Sequence, residues 1–329
     1  MNLIKSAALL ARTELAAPVR AVRNRLLSRE GISPLCVSFY HRVADTHSND
    51  WTISRREFLR HVDYCQASFD LIGLDELQNR VDNNHCSHPT LTFTFDDGYA
   101  ENCEFALPLL AERNIPCVYF VAIGHVKHQR PFPHDVEAGV DLAPNTLQQL
   151  RDISDLGIEI GLHTRNHVDF SKVSDPNIVH HEITTAKDEL EQWIGRPVRY
   201  FAVPYGLPSQ LTSMVIDAVD RCGMLGFCSA FGAYNTVGRD SFHIRRFHGD
   251  PCFSRMKNWL SFDPRKLRLE PNVNYALRPR ASAHTQPTQC QQSGGGSNQD
   301  LPVGETASQS VYPNMPQVTI PQTHVTSVG

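Results

Sequence analysis

The chain has 329 residues, 41% of them hydrophobic and 20% charged, with a formal net charge of -4. That length supports one large domain or two ordinary ones around a sizeable core. The charge balance excludes nucleic acid as the main partner, and no apolar run approaches the ~18 residues of a transmembrane helix.

In chain order, residues 1–30 read as an amphipathic helical arm. Leu3, Ile4, Ala7, Leu10, Ala11 and Leu15 fall at helical spacing, with Arg12, Arg20, Arg23 and Arg25 between and after them. Two readings stand. One is a surface helix packed on the domain, favoured by Glu14 and a modest apolar face. The other is peripheral contact of the helix with an anionic membrane. The stretch lacks the sustained apolar segment of a signal peptide. The nine cysteines form no CxxC pair, and Cys36 and Cys117 sit within apolar runs. A disulfide scaffold is therefore not expected, and a reducing, cytoplasmic location is.

Residues 31–268 alternate apolar runs with amphipathic stretches. LCVSFYH (35–41) reads as a strand, and SRREFLRHVDYC (54–65) as a helix started by a Ser54–Glu57 capping pattern. TLTFTF (90–95) is a strand, followed by a helix over 103–113. IPCVYFVA (115–122) is a strand and LQQLRDISDLG (147–157) a helix. IEIGLH (158–163) is a strand and 178–195 one long helix. VRYFAVPYG (198–206) is a strand, followed by a helix near 209–221 and a strand near 225–230. Nearly continuous apolar strands alternating with helices predict a parallel sheet covered on its outside. A distorted (β/α) barrel is the leading α/β architecture, with an open doubly wound sheet as the alternative. Residues 269–329 read as a disordered, low-complexity tail. From 271 on there are seven prolines, the Gly294–Gly296 run and only four charged residues. Such a segment cannot bury enough apolar surface to offset chain entropy.

In these folds the chemistry gathers where strands end. Asp96 and Asp97, closed by Gly98, follow the second strand. Two adjacent carboxylates repel unless a cation takes one of them, which leaves the other free as a base. The alternative is an Asp-Gly turn that caps a helix. His163 and His167 in HTRNH are four apart, so both imidazoles can face one ion; a solvent-facing pair is the alternative among sixteen histidines. Together the two motifs give one Asp and two His ligands with open positions, the pattern of a hydrolytic metal site. His41 ends the first strand and suits a substrate contact or a core role. His134 and Asp135 lie in a long connection that suits a binding wall. Trp51 fits either a sugar platform or core packing.

TFDDGY, HTRNH and FAVPYG, in this order, resemble the polysaccharide deacetylase family, carbohydrate esterase family four. YHRV (40–43), FPHD (132–135), the helix carrying Glu182 and the RRF at 245–247 are similar to one branch of it. The resemblance spans roughly residues 34–255 and implies a distorted (β/α) barrel, a divalent metal (zinc, or cobalt or nickel) and hydrolysis of N-acetyl groups on a saccharide substrate, as a free polymer or a glycolipid precursor. By that resemblance Asp96 is the general base, and Asp97, His163 and His167 are the metal ligands. Tyr205 offers a backbone N–H to the oxyanion, in a turn shaped by Pro204 and Gly206. The sequence departs from the family at Ala202, where many members carry the arginine that orients the base. No copy of the late Leu-x-His is evident either, so the general acid is unassigned; His243 and His248 lie nearby at the wrong spacing. Arg246 has two readings, a replacement guanidinium for Asp96 or a surface ion pair. An O-acetyl ester or a cyclic amide would suit the same site. A non-catalytic carbohydrate-binding relic is the remaining reading, but it would need a lost ligand or base, and all four are present.

Overall fold

The computed structural model describes Leu15 and residues 17–276. Nearly all of the low-complexity stretch, and most of the first half of the N-terminal arm, lie outside the described residues. After a helix at Ala17–Glu30, the chain forms β1 (Leu35–Tyr40), the short β2 (Arg42–Val43) and β3 (Thr52–Ile53), β4 (Asp70–Leu71) and β5 (Thr90–Phe95). Then come β6 (Cys117–Val121), β7 (Glu159–Leu162), β8 (Tyr200–Ala202), β9 (Gly226–Cys228), β10 (His243–Ile244) and β11 (Phe247–His248). β2 pairs with β3 by themselves; the others form one sheet, β10-β9-β8-β7-β6-β5-β1-β11, with β4 also on β5, and every pairing is parallel. This is the expected distorted (β/α) barrel.

The alternation of side chains explains why the strands are apolar throughout. Cys36, Tyr40, Leu91, Phe93, Phe95, Cys117, Tyr119 and Val121 face the surrounding helices and share one core with them. Leu35, Val37, Val118, Phe120, Tyr200, Ala202, Cys228 and Ile244 form a second cluster inside the curled sheet. β5 is the exception on its inner side, where Thr90, Thr92 and Thr94 are fully buried. That polar stripe gives the barrel interior hydroxyls as well as methyl groups.

β10 pairs with β9 at one end of the sheet, and β11 pairs with β1 at the other. Only Arg245 and Arg246 separate them, so one short segment meets both ends. Register sets the height of the strand ends. Tyr40 lies opposite Phe95, and Val121 opposite Leu162. The Asp96 N–H donates to the Tyr40 carbonyl at 2.9 Å and the His163 N–H to Val121 at 2.9 Å. His41, Asp96 and His163 therefore emerge on one rim.

Three expected boundaries shift for local reasons. The helix expected over 103–113 becomes a 3-10 turn at Ala100–Cys103 and a helix at Ala106–Glu112. Pro108 has no N–H and tolerates only the first turn of a helix, so the helix cannot begin much earlier. The long helix expected over 178–195 contains a π-helical turn at His181–Thr185 between Pro176–His180 and Ala186–Ile194. The tail does not begin at 269. The Glu270 side chain is 4% exposed and accepts from Arg245 Nε at 2.6 Å and from Arg239 at 2.9 and 3.1 Å. Tyr275 packs on Phe227 and hydrogen-bonds Asp240. One glutamate beside a proline carries no periodic signal, so the docking was invisible in the sequence. Truncation after Ala276 is expected to leave the melting temperature unchanged. Truncation after Arg268 strands the Arg245 and Arg239 guanidinium groups and is expected to cost about 3 kcal/mol or more, measurable by denaturant unfolding of the two truncations.

Of the apolar face expected for the N-terminal arm, Leu3, Ile4, Ala7, Leu10 and Ala11 lie outside the described residues, and Leu15 is exposed. Val19, Val22 and Leu26 are exposed. No described helix is long and apolar enough to cross a membrane. The eight cysteines among the described residues are all free.

Candidate active site

The rim of the barrel carries a cavity of about 450 Å³ lined by Phe39, His41, Trp51, Asp96, Asp97, His134, His163, His167, Val203, Tyr205, Leu207 and Ala230. Its floor is the Asp96–Asp97 pair. The chain turns sharply there, with Asp97 at φ 74° and Gly98 at φ 97°, which sends the two carboxylates in different directions.

Asp97 meets the histidines. Its Oδ1 lies 3.4 Å from His163 Nε2 and 3.4 Å from His167 Nε2. His163 donates from Nδ1 to the Ala202 carbonyl at 2.8 Å, which leaves a lone pair on Nε2 when the ring is neutral. Asp97 Oδ1 is itself buried without a hydrogen-bond partner. A carboxylate oxygen and imidazole lone pairs facing one another are mutually unsatisfied, and a shared cation resolves that. One atom from each of the three residues lies within 4.8 Å of the others. Burial raises the Asp97 carboxyl, but the neighbouring His163, His41 and His167 imidazoles outweigh it and hold it below the usual range. Burial lowers the His167 imidazole to about 3, against the pull of Asp97, so it presents neutral nitrogen.

Asp96 faces the barrel interior, where Arg246 clamps it. Nη1 donates to Oδ1 at 2.7 Å and Nη2 to Oδ2 at 2.8 Å. The same guanidinium donates to the Ser229 carbonyl and to Thr94 Oγ1, and lies against the Phe39 and Phe120 rings. Arg246 is fully buried, which rules out a surface pair. Burial raises the Asp96 carboxyl; the Arg246 charge, then His163, outweigh it and hold it below the ordinary carboxylate range. Arg245, its neighbour, points the other way, to Glu270.

The remaining expected residues divide. His41 lines the cavity beside Trp51, with ring centres 4.9 Å apart, and its Nδ1 is buried without a partner. Trp51 is 47% exposed at the cavity mouth, so the core-packing reading falls. His134 lines the wall and meets the Tyr99 hydroxyl at 3.0 Å. Asp135 does not line the cavity: it is buried and accepts from the Tyr99 hydroxyl at 2.8 Å. Its helix begins at Pro133, which turns position 135 inward. Pro204 and Gly206 are likewise absent from the lining. Gly206, at φ 59°, has room for no side chain, because a Cβ would sit 2.6 Å from the Ala230 nitrogen. That close turn carries Tyr205 at φ 60° with its ring 5.2 Å from His167.

Two anchoring residues were not assigned from the sequence. Buried Arg42 donates to Glu101 and to the Thr46 and His47 carbonyls, and so fixes the loop that carries Trp51. Glu182, on the π-helical turn, accepts from the Arg165 and Asn166 backbone N–H groups at 3.0 and 2.7 Å and from the Asn166 side chain at 2.7 Å. The loop it holds contains Thr164 and His167, both at positive φ. A π turn in mid-helix marks such sites, but its hydrogen-bond shift leaves no spacing signal. Glu182→Gln is expected to weaken the affinity of the Asp97–His163–His167 group for a divalent ion about 10–100-fold with the fold intact, as read by chelator competition; an unchanged affinity would mean the loop holds its own shape.

Burial also keeps His61 and His248 neutral, each lowered to about 4, and His243, lowered to about 2. The unfolded chain binds these protons at about pH 6.5 and the native chain does not. Stability is therefore expected to fall as pH drops from about 6.5 toward 4, by about 1 kcal/mol per pH unit for each group. Denaturant midpoints of metal-free protein across that range check the sign.

Residues 83–225 match the family model described as Polysaccharide deacetylase. No curated protein matches significantly. Among solved structures, the chain is similar to the deacetylase PplD of Streptococcus pyogenes, solved in complex with acetate. Identity is 18%, coverage 70% of this chain and 99% of that one, and the TM-score 0.59. IcaB from Ammonifex degensii aligns at 24% identity over 70% of this chain and 98% of its own, with a TM-score of 0.58. A de-N-acetylase from Aggregatibacter actinomycetemcomitans aligns at 21% over 69% and 100%, with a TM-score of 0.58. These likenesses concern the fold.

Proposed function

We propose that this chain, whose residues 83–225 form a polysaccharide deacetylase domain, hydrolyses the N-acetyl group of an amino sugar within a saccharide, with a divalent ion at Asp97, His163 and His167. The observation that carries the reading is the unsatisfied Asp97 oxygen between two histidine nitrogens, next to a second carboxylate held by a buried guanidinium. One carboxylate and two imidazoles suit zinc, with cobalt or nickel as substitutes, and such an ion supplies Lewis-acid polarisation and an acidified water.

The protein's own groups divide the remaining work. Asp96 removes a proton from the attacking water, and its low pKa keeps it ionised at neutral pH. Arg246 is a positioning residue that stops the carboxylate from rotating. The Tyr205 backbone N–H, on its strained turn at the cavity wall, donates to the oxyanion. His41 lines the cavity with an unpartnered Nδ1, and burial lowers its pKa, so it presents a neutral ring to the substrate; the proton that Asp96 takes from water is the one passed to the leaving amine. Trp51 and Tyr205 are half exposed at the mouth and offer apolar faces to a sugar ring.

The test is acetate release from a panel of N-acetylated saccharides, before and after dialysis against a chelator. Release that is lost on stripping and restored by zinc or cobalt supports the reading. Full activity of stripped protein sinks the metal mechanism, and release only from O-acetyl esters moves the substrate.

A further inference from the structure

The helix Ala17–Glu30 is built inside out. Leu15, Val19, Val22 and Leu26 are 82%, 63%, 62% and 51% exposed. Their spacing of four, three and four places them within an arc of about 60° on one face. The face turned toward the barrel carries Arg23, Asn24, Leu27 and Ser28, all partly covered. Arg23 donates to the Phe262 carbonyl at 2.6 Å, and Ser28 meets Ser33 at 3.0 Å. Polar contacts thus fasten the helix, and its apolar stripe is left facing out.

The charges beside the stripe select what covers it. The helix sequence APVRAVRNRLLSRE has four arginines and one acid, Glu30. Arg25 and Arg29 are exposed along one shoulder of the stripe; the other carries the exposed Glu30, beside Arg23, which is turned to the barrel. A second copy would bring arginines against arginines, with a single glutamate per helix to offset them. An anionic surface satisfies the Arg25–Arg29 shoulder, and its acyl layer takes up the valines and leucines. We propose that this helix docks flat on an anionic lipid bilayer, with Leu15, Val19, Val22 and Leu26 inserted at the headgroup boundary and Arg25 and Arg29 against lipid phosphates.

The experiment is co-sedimentation of the full chain with two kinds of vesicle. One is phosphatidylcholine alone, and the other phosphatidylcholine with an equal amount of phosphatidylglycerol. Binding at least about tenfold tighter to the anionic vesicles, weakening as salt rises, is expected. Val22→Asp with Leu26→Asp, and separately Arg25→Glu with Arg29→Glu, should each abolish it. All four side chains are exposed, so both variants should keep the wild-type melting temperature and zinc affinity. Equal binding to the two vesicles overturns the proposal, as does binding that survives the aspartates. A concentration-dependent doubling of mass without vesicle binding, lost in the aspartate variant, would assign the face to a second copy instead.

Discussion

Arg246→Ala is expected to lower stability by about 3–5 kcal/mol, because it leaves the Asp96 carboxylate buried and unpaired, and to cut turnover by ~10² or more. The two effects have one origin and separate readouts. In the native site burial pushes the Asp96 carboxyl up, and the guanidinium more than compensates. Without Arg246 the burial remains and the compensation goes, so the pKa of Asp96 rises. The acid limb of the kcat/KM profile should therefore move toward neutral pH. A merely structural arginine would reduce the folded fraction and leave that limb in place. Arg246→Lys keeps the charge but not the two parallel hydrogen bonds, and should shift the limb less. Arg245→Ala provides the control. Its partner is Glu270, so it should destabilise the protein without moving the limb. Equal shifts for the two alanine variants would remove Arg246 from the base.

Asp96→Asn is expected to lose about 10²–10⁴-fold in turnover, the range for a lost general base, while zinc affinity stays within a few-fold of wild type. The separation follows from the turn at Asp97, which sends one carboxylate to Arg246 and the other to His163 and His167. Asp97→Asn should do the reverse and weaken zinc binding first. Asparagine at 96 also leaves Arg246 without its counter-charge, so turnover must be normalised to folded protein. Turnover near wild type for Asp96→Asn, or zinc lost with it, would mean that the two carboxylates have been given each other's roles.

Much of this was written in local sequence. The strands at Leu35–Tyr40, Thr90–Phe95 and Cys117–Val121 were legible because buried parallel strands are apolar on both faces. Asp96, Asp97, His163 and His167 were legible because polar residues that interrupt such runs mark the strand ends. Chemistry of that kind is short-range: a turn, a spacing of four, a carboxylate pair. Ala202 and Arg246 show the limit. The sequence could say that a guanidinium was missing from one place and present in another. Only the sheet order, with β10 on β9 and β11 on β1, brings Arg246 through the interior to Asp96. The docking of Glu270, the inward turn of Asp135 and the clamp by Glu182 were likewise settled by partners far along the chain. Hydrogen bonds and ion pairs between distant residues leave no period in the sequence, because their geometry exists only once the barrel has curled. The outward stripe of the N-terminal helix is the converse case. Val19, Val22 and Leu26 repeat at helical spacing, but periodicity marks a face without giving its direction; the opposite side holds Arg23 on the Phe262 carbonyl, and the stripe is exposed.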